Sequence, residues 1–98
     1  MKIAKVTDLK DNEMKEVSVN GKSILLINSS GKFYAVDSRC SHRHLPLVKG
    51  KVDGNIITCP YHGSQFNIVD GTVVHGPAAK PLKTYYVNIQ GDDIEIGE

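Results

Sequence analysis

Cys40-Ser41-His42-Arg43-His44-Leu45-Pro46-Leu47 and Cys59-Pro60-Tyr61-His62-Gly63-Ser64-Gln65-Phe66 are two short stretches with sixteen residues between His42 and Cys59. Each supplies one thiol and one imidazole, so together they offer two soft anionic ligands and two neutral nitrogen ligands. Zinc fingers usually group two cysteines in one knuckle and two histidines in the other. Here each knuckle is mixed. Mixed knuckles suit a binuclear centre, because each loop can send its cysteine to one metal and its histidine to the other. A single tetrahedral Cys2His2 zinc is the alternative use of the same four donors.

The segments flanking these loops read as strands. Upstream, Lys15-Glu16-Val17-Ser18-Val19 alternates polar and apolar, and Asn20-Gly21 is the strongest two-residue hairpin signal, since both central positions of a type I′ turn need positive φ. Lys22 to Ile27 returns as the partner strand. A turn at Ser29-Ser30-Gly31 and a strand over Lys32 to Val36 then deliver the chain to Cys40. Between Asp37 and Gly50 the apolar periodicity disappears, which is the pattern of a loop shaped by its ligand. Lys51-Val52, an Asp53-Gly54 turn and Asn55 to Thr58 form a small hairpin leading into Cys59.

Beyond the second loop, Gln65 to Val69 reads as a strand, Asp70-Gly71 as a tight turn and Thr72 to Val74 as the answering strand. Residues 76–81 hold two prolines and are expected to stay irregular. Thr84 to Ile89, a turn at Gly91-Asp92-Asp93 and Ile94 to Ile96 close the chain as a last hairpin. At the start, Ile3 to Val6 reads as a short half-buried strand. No stretch has a helical period and no repeat is visible, so the chain is expected to be all-β, with the ligand hairpins forming a small sheet inserted in a larger one.

Ninety-eight residues fit one domain, expected to span 1–98, with a cluster-binding subdomain at about 38–69. Net charge is +1, which argues against a nucleic-acid binder driven by a positive field. Residues 1–15 carry charges throughout and build no apolar core of a signal peptide or membrane anchor, so a cytoplasmic protein without membrane attachment is expected. In that compartment a Cys40 to Cys59 disulfide is disfavoured, and metal-bound thiolates are the better account.

The two loops also carry the pattern C-x-H-x-x-x-x-L, completed by Leu47, and C-P-x-H-G-x-x-F, completed by Pro60, Gly63 and Phe66. In these residues the chain resembles the Rieske [2Fe-2S] family, in which two histidines replace two cysteines on one iron. The resemblance is strong over residues 32–82. It implies an antiparallel β-sandwich or barrel base with an inserted subdomain of two ligand loops, and one [2Fe-2S] cluster per chain. It also implies that Cys40 and Cys59 hold one iron while His42 and His62 hold the outer one. Residues 76–82, with Pro77, resemble the family's proline loop that packs over the cluster.

The departures from the respiratory branch of that family are specific. Leu45 and Tyr61 stand where that branch has an extra cysteine in each loop, so its disulfide clamp is absent. Ser64 matches a serine that donates to a bridging sulfide, whereas Phe66 replaces a tyrosine that supplies a second donor. One donor kept and one lost implies a potential in the lower half of the Rieske range of roughly −150 to +300 mV.

His44 and His75 read as loop and turn histidines, His44 competing only weakly with His42 because C-x-x-x-H departs from the pattern. Tyr85 and Tyr86 are adjacent in a strand and must face opposite sides, so at least one is ordinary core. Arg39, Arg43, Lys49 and Lys51 crowd the first loop; they read either as a solvated face or as a weakly basic ring that steers an acidic partner.

The resemblance implies a monomeric one-electron carrier between a ferredoxin reductase and an oxygenase or other terminal redox enzyme, and no catalysis of its own. The alternatives are a small Rieske subunit held permanently in a larger oxidoreductase of the nitrite or arsenite type, and a non-redox zinc module. A complete ligand set and the absence of an export signal weigh against the former.

Overall fold

The computed structural model describes residues 2–39, 47–60, 63–76 and 80–97. The expectations placed on Cys40, His42, Arg43, His44, Leu45, Tyr61, His62 and Pro77 therefore lie outside the described residues. Ten strands follow in chain order: β1 (Lys2–Lys5), β2 (Met14–Val19), β3 (Lys22–Ser29), β4 (Lys32–Asp37), β5 (Lys51–Asp53), β6 (Ile56–Thr58), β7 (Gln65–Asn67), β8 (Val73–His75), β9 (Thr84–Gln90) and β10 (Asp93–Gly97). One 3-10 turn, Val6–Asp8, follows β1, and the Asp8 carboxylate accepts from the Lys5 amide at 2.9 Å. No helix among the described residues is long and apolar enough to cross a membrane.

The strands form a six-stranded sheet in the order β1-β10-β9-β4-β3-β2 and a four-stranded sheet in the order β5-β6-β7-β8, each pairing antiparallel. Ile3 of β1 and Val17 of β2 pack against one core cluster, with Val19, Ile24, Ala35 and Ile96, although their strands are at opposite ends of the large sheet. The sheet is therefore curled until its edges approach. This is the all-β base with an inserted small sheet that the sequence implied.

β3 is the strand on which both sheets rest. Six consecutive residues, Ile24 to Ser29, are buried, where a strand with one wet face would alternate. Ile24 and Leu26 belong to the clusters inside the curled sheet, while Leu25 and Ile27 belong to a third cluster with Val36, Leu47, Val52, Ile57, Cys59, Phe66, Ile68 and Leu82. Each of these fully buried side chains contributes about 1.5–3 kcal/mol of transfer free energy. The small sheet meets this cluster with the row Val52, Ile57, Phe66, matched in register across three strands. The inserted subdomain is thus packed on the outer face of β3 and β4.

Hairpin chemistry fixes the registers. Asn20 and Gly21 both have positive φ, 51° and 79°, and Val19 pairs Lys22, so the turn is type I′ as its residues require. Ser30 and Gly31 repeat the device between β3 and β4. Two turns differ from the sequence reading. Asp53 pairs Ile56, which moves the turn one residue on, to Gly54-Asn55 with positive φ at Gly54 only. β7 stops at Asn67 instead of Val69, because Asn67 turns the chain: its side-chain oxygen accepts from the Val69 amide at 2.9 Å and its carbonyl from the Gly71 amide at 2.7 Å, while the Ile68 amide donates to the Asn55 carbonyl at 2.8 Å.

Candidate metal centre

The base of the first loop is closed by one backbone hydrogen bond, from the Leu47 amide to the Ser38 carbonyl at 2.8 Å, which brings together the residues on either side of 39–46. Leu47 is fully buried and anchors the returning chain in the cluster beneath. The second loop leaves β6 directly. The Cys59 amide donates to the Ser64 carbonyl at 2.7 Å and the Gly63 amide donates to the Cys59 carbonyl at 3.2 Å, so residues 59–64 close on themselves.

Two glycines hold these bases together. A Cβ on Gly50 would lie 2.1 Å from the Thr58 carbonyl oxygen and 3.3 Å from Pro60 Cδ, so the chain leaving the first loop lies directly on the start of the second. Gly76, at φ +102°, does the same on the other flank, where a Cβ would lie 2.6 Å from Ser64 Cα and 3.2 Å from the Gly63 carbonyl oxygen. The second loop is thereby gripped between the first loop's exit and the exit of β8. The sequence showed both glycines only as loop punctuation, since close approach of two distant backbones leaves no local signal.

Of the residues implied by the resemblance, the structure brings Leu47, Cys59 and Phe66 into one apolar cluster and places Ser64, fully buried, against the Cys59 backbone. Pro60 and Gly63 are exposed at the loop surface. Cys40, His42, His62 and Pro77 are outside the described residues. His75 is exposed at the end of β8, Tyr86 is 70% exposed, and Tyr85 is half-buried against the core inside the curled sheet. Among the described residues no three histidine, cysteine, aspartate or glutamate side chains converge to make a metal site elsewhere.

Cys59 is 2% exposed and has no disulfide partner among the described residues. A thiolate in such surroundings needs a cation to compensate its charge, and two thiolates with two neutral imidazoles are the donor set of a mixed-ligand iron centre. The residues present fit that group.

Fold and site together define a small all-β protein in which the bases of the loops over 39–47 and 59–64 are pinned against each other. The profile of the family described as "Rieske [2Fe-2S] domain" matches residues 1–86, and the chain belongs to that family. Its cofactor is accordingly one [2Fe-2S] cluster. The ferredoxin component of biphenyl 2,3-dioxygenase from Rhodococcus jostii (strain RHA1) is 32% identical over 95 residues, covering 97% of this chain and 89% of that protein. The solved Sphingomonas yanoikuyae B1 ferredoxin superposes with a TM-score of 0.93 at 31% identity, over 100% of this chain and 97% of that one. Apoptosis-inducing factor 3 from Mus musculus is 33% identical over 94 residues; that match covers 96% of this chain but spans only 16% of the length of that relative.

Proposed function

We propose that the chain is a one-electron carrier that takes electrons from a ferredoxin reductase and delivers them to an oxygenase or another terminal redox enzyme, without turning over a substrate itself. The relative named as the ferredoxin component of a dioxygenase system, matched over nearly its whole length, supports this reading. In this proposal Cys40 and Cys59 hold the inner iron, and His42 and His62 hold the outer one. Bound there, the cluster supplies a one-electron couple. The chain's own contribution is rigidity and dryness on one side. Leu47, Ile57 and Phe66 share the apolar cluster of Cys59, and the hydrogen bonds at 38–47 and 59–64 fix where both loops begin and end.

The observation that carries the proposal is the buried Cys59, without a disulfide partner among the described residues, at the base of a loop gripped by Gly50 and Gly76. His42 and His62, as neutral imidazole ligands, would leave the iron they hold easier to reduce than one held by two thiolates. The carrier is proposed to be monomeric and cytoplasmic, with residues 1–98 folding as one Rieske unit.

The test is the purified protein's colour, metal content and magnetic signature. A red-brown solution with two irons and two acid-labile sulfides, whose reduced form has the low average g value of mixed ligation, is expected. One zinc and no sulfide would remove the proposal. A second reading is a small Rieske subunit held permanently in a larger oxidoreductase; the match to a short part of a long relative is in keeping with such a unit working alongside further protein. Size-exclusion of native lysate separates the two, since a free carrier elutes alone.

A further inference from the structure

Asn20 and Gly21 form the two-residue turn between β2 and β3, and both are exposed. A Cβ on Gly21 would meet nothing within 4 Å, so the space around the turn is open. The ladder of the hairpin closes with the Val19 and Lys22 pair, which leaves the Gly21 amide outside it. Among the described residues neither that amide nor the Asn20 side chain has a hydrogen-bond partner. A carboxamide carbon and an uncommitted peptide nitrogen therefore stand one residue apart.

The other asparagines of the chain lack this combination. Asn28 is buried, with Nδ2 donating to the Leu9 carbonyl and Oδ1 accepting from the Gly31 amide, each at 3.0 Å. Asn67 Oδ1 accepts from the Val69 amide at 2.9 Å, and Asn88 Nδ2 donates to Glu95 Oε1 at 3.4 Å. Asn12 and Asn55 are exposed, but the nitrogen after each is engaged: the Glu13 amide donates to the Lys10 carbonyl at 3.0 Å, and Ile56 pairs with Asp53 in the β5–β6 ladder. Glu13 and Ile56 also carry side chains that crowd that nitrogen, whereas glycine leaves it bare.

We propose that Asn20 is a site of spontaneous covalent modification, by deamidation through its own backbone. The Gly21 peptide nitrogen attacks Asn20 Cγ, the bond from Cγ to the side-chain nitrogen breaks, and ammonia leaves with the proton that the peptide nitrogen gives up. Water then opens the cyclic imide at either carbonyl, to aspartate or to isoaspartate, and no oxidant or cofactor is consumed. Ring closure requires rotation about the Asn20 Cα–C bond, which the open surroundings of Gly21 permit. Either product exchanges a neutral amide for a carboxylate, taking the net charge from +1 to 0. Isoaspartate also lengthens the main chain by a methylene, which a two-residue type I′ turn cannot accept while Val19 and Lys22 stay paired. The strand leaving this turn supports the first loop, because the Ser23 carbonyl accepts from the Ser38 amide at 3.4 Å. None of this depends on the electron-carrier reading.

The experiment is prolonged incubation of the purified holoprotein at mildly alkaline pH, with peptide mapping by mass spectrometry to follow aspartate and isoaspartate at each asparagine. Conversion of Asn20 at least about tenfold faster than of Asn12 or Asn55, and slower at mildly acidic pH where the peptide nitrogen keeps its proton, is the expected result. The isoaspartyl fraction, separated by ion exchange, should melt at a lower temperature than Asn20→Asp, which carries the same charge on a main chain of normal length. Asn20 left intact, or converted no faster than Asn12 and Asn55, overturns the proposal. Equal melting of the isoaspartyl fraction and Asn20→Asp overturns the effect on the hairpin.

Discussion

The Tyr85 hydroxyl donates to Asp37 Oδ1 at 2.8 Å, joining two residues forty-eight apart in sequence. Around this bond Asp37 and Lys83 exchange backbone and side-chain contacts: the Asp37 amide donates to the Lys83 carbonyl at 2.9 Å, and the Lys83 amide donates to Asp37 Oδ2. Lys83 Nζ also lies 5.1 Å from the centroid of the Tyr85 ring. β4 and β9 share only two paired positions, Ala35 with Tyr85 and Val36 with Thr84. The side-chain clasp therefore extends a short seam at the point where the chain leaves β4 for Cys40.

Removing the hydroxyl should open that seam. Tyr85→Phe keeps the ring but leaves Asp37 without one donor, and a hydrogen bond to a charged group is worth about 1.5–3 kcal/mol, the low end applying to a half-buried one. The urea midpoint of the holoprotein should fall accordingly, with an unchanged slope. An unaltered midpoint would show that solvent replaces the bond without loss.

Gly76 should tolerate no side chain. Its φ of +102° strains any L residue, and a Cβ would meet the Ser64 backbone at 2.6 Å, where nothing flexible can give way. Gly76→Ala is expected to cost at least about 2 kcal/mol and to lower the cluster content of the purified protein, because the backbone it displaces carries the second loop. Gly91→Ala is the control: it also has positive φ but faces open space, so a loss of about 1 kcal/mol with normal iron content is expected. Equal iron content in both variants would detach Gly76 from the site.

These contacts show where the sequence was legible and where it was not. Asn20-Gly21 announces its hairpin because few residue pairs accept two positive φ values in succession. The Leu47, Cys59, Ser64 and Phe66 positions were implied by the resemblance to the Rieske pattern, and the structure buries all four. The end of β7 misled, since Phe66-Asn67-Ile68-Val69 alternates like a strand and Ile68 is indeed buried, but Asn67 accepts from the Val69 and Gly71 amides and turns the chain there. Gly50, Gly76 and the Asp37 to Tyr85 bond were illegible for one reason: each acts on a partner that only tertiary folding brings near.

Acid should loosen the loop between β7 and β8 before it touches the core. Asp70 Oδ1 accepts from the Thr72 amide at 3.0 Å and from the Thr72 hydroxyl at 2.8 Å, and these bonds, the backbone one first, hold the carboxyl below its ordinary 3.8. A depressed carboxyl stabilises the fold fully above the unfolded value and loses that contribution as pH falls through the folded one. A carboxyl NMR titration should place the Asp70 midpoint below 3.8, and Thr72→Val, which keeps the amide donor and removes the hydroxyl, should raise it part of the way back. A midpoint indifferent to Thr72→Val would assign the whole shift to the backbone.

Ser64 is the residue through which the chain should set its potential. It is fully buried, and its carbonyl fixes the Cys59 amide, so the backbone around it is held whether or not the hydroxyl is present. A hydroxyl that donates to a bridging sulfide stabilises the reduced, more negative cluster and raises its potential. Phe66, buried two residues on, brings no hydroxyl of its own. Ser64→Ala should therefore lower the midpoint potential while leaving iron content and the visible spectrum's ligation pattern intact, and Ser64→Thr, which restores a hydroxyl, should recover part of the shift. Protein-film voltammetry of the three proteins makes the comparison. Equal potentials in all three would mean that the Ser64 hydroxyl serves only the fold.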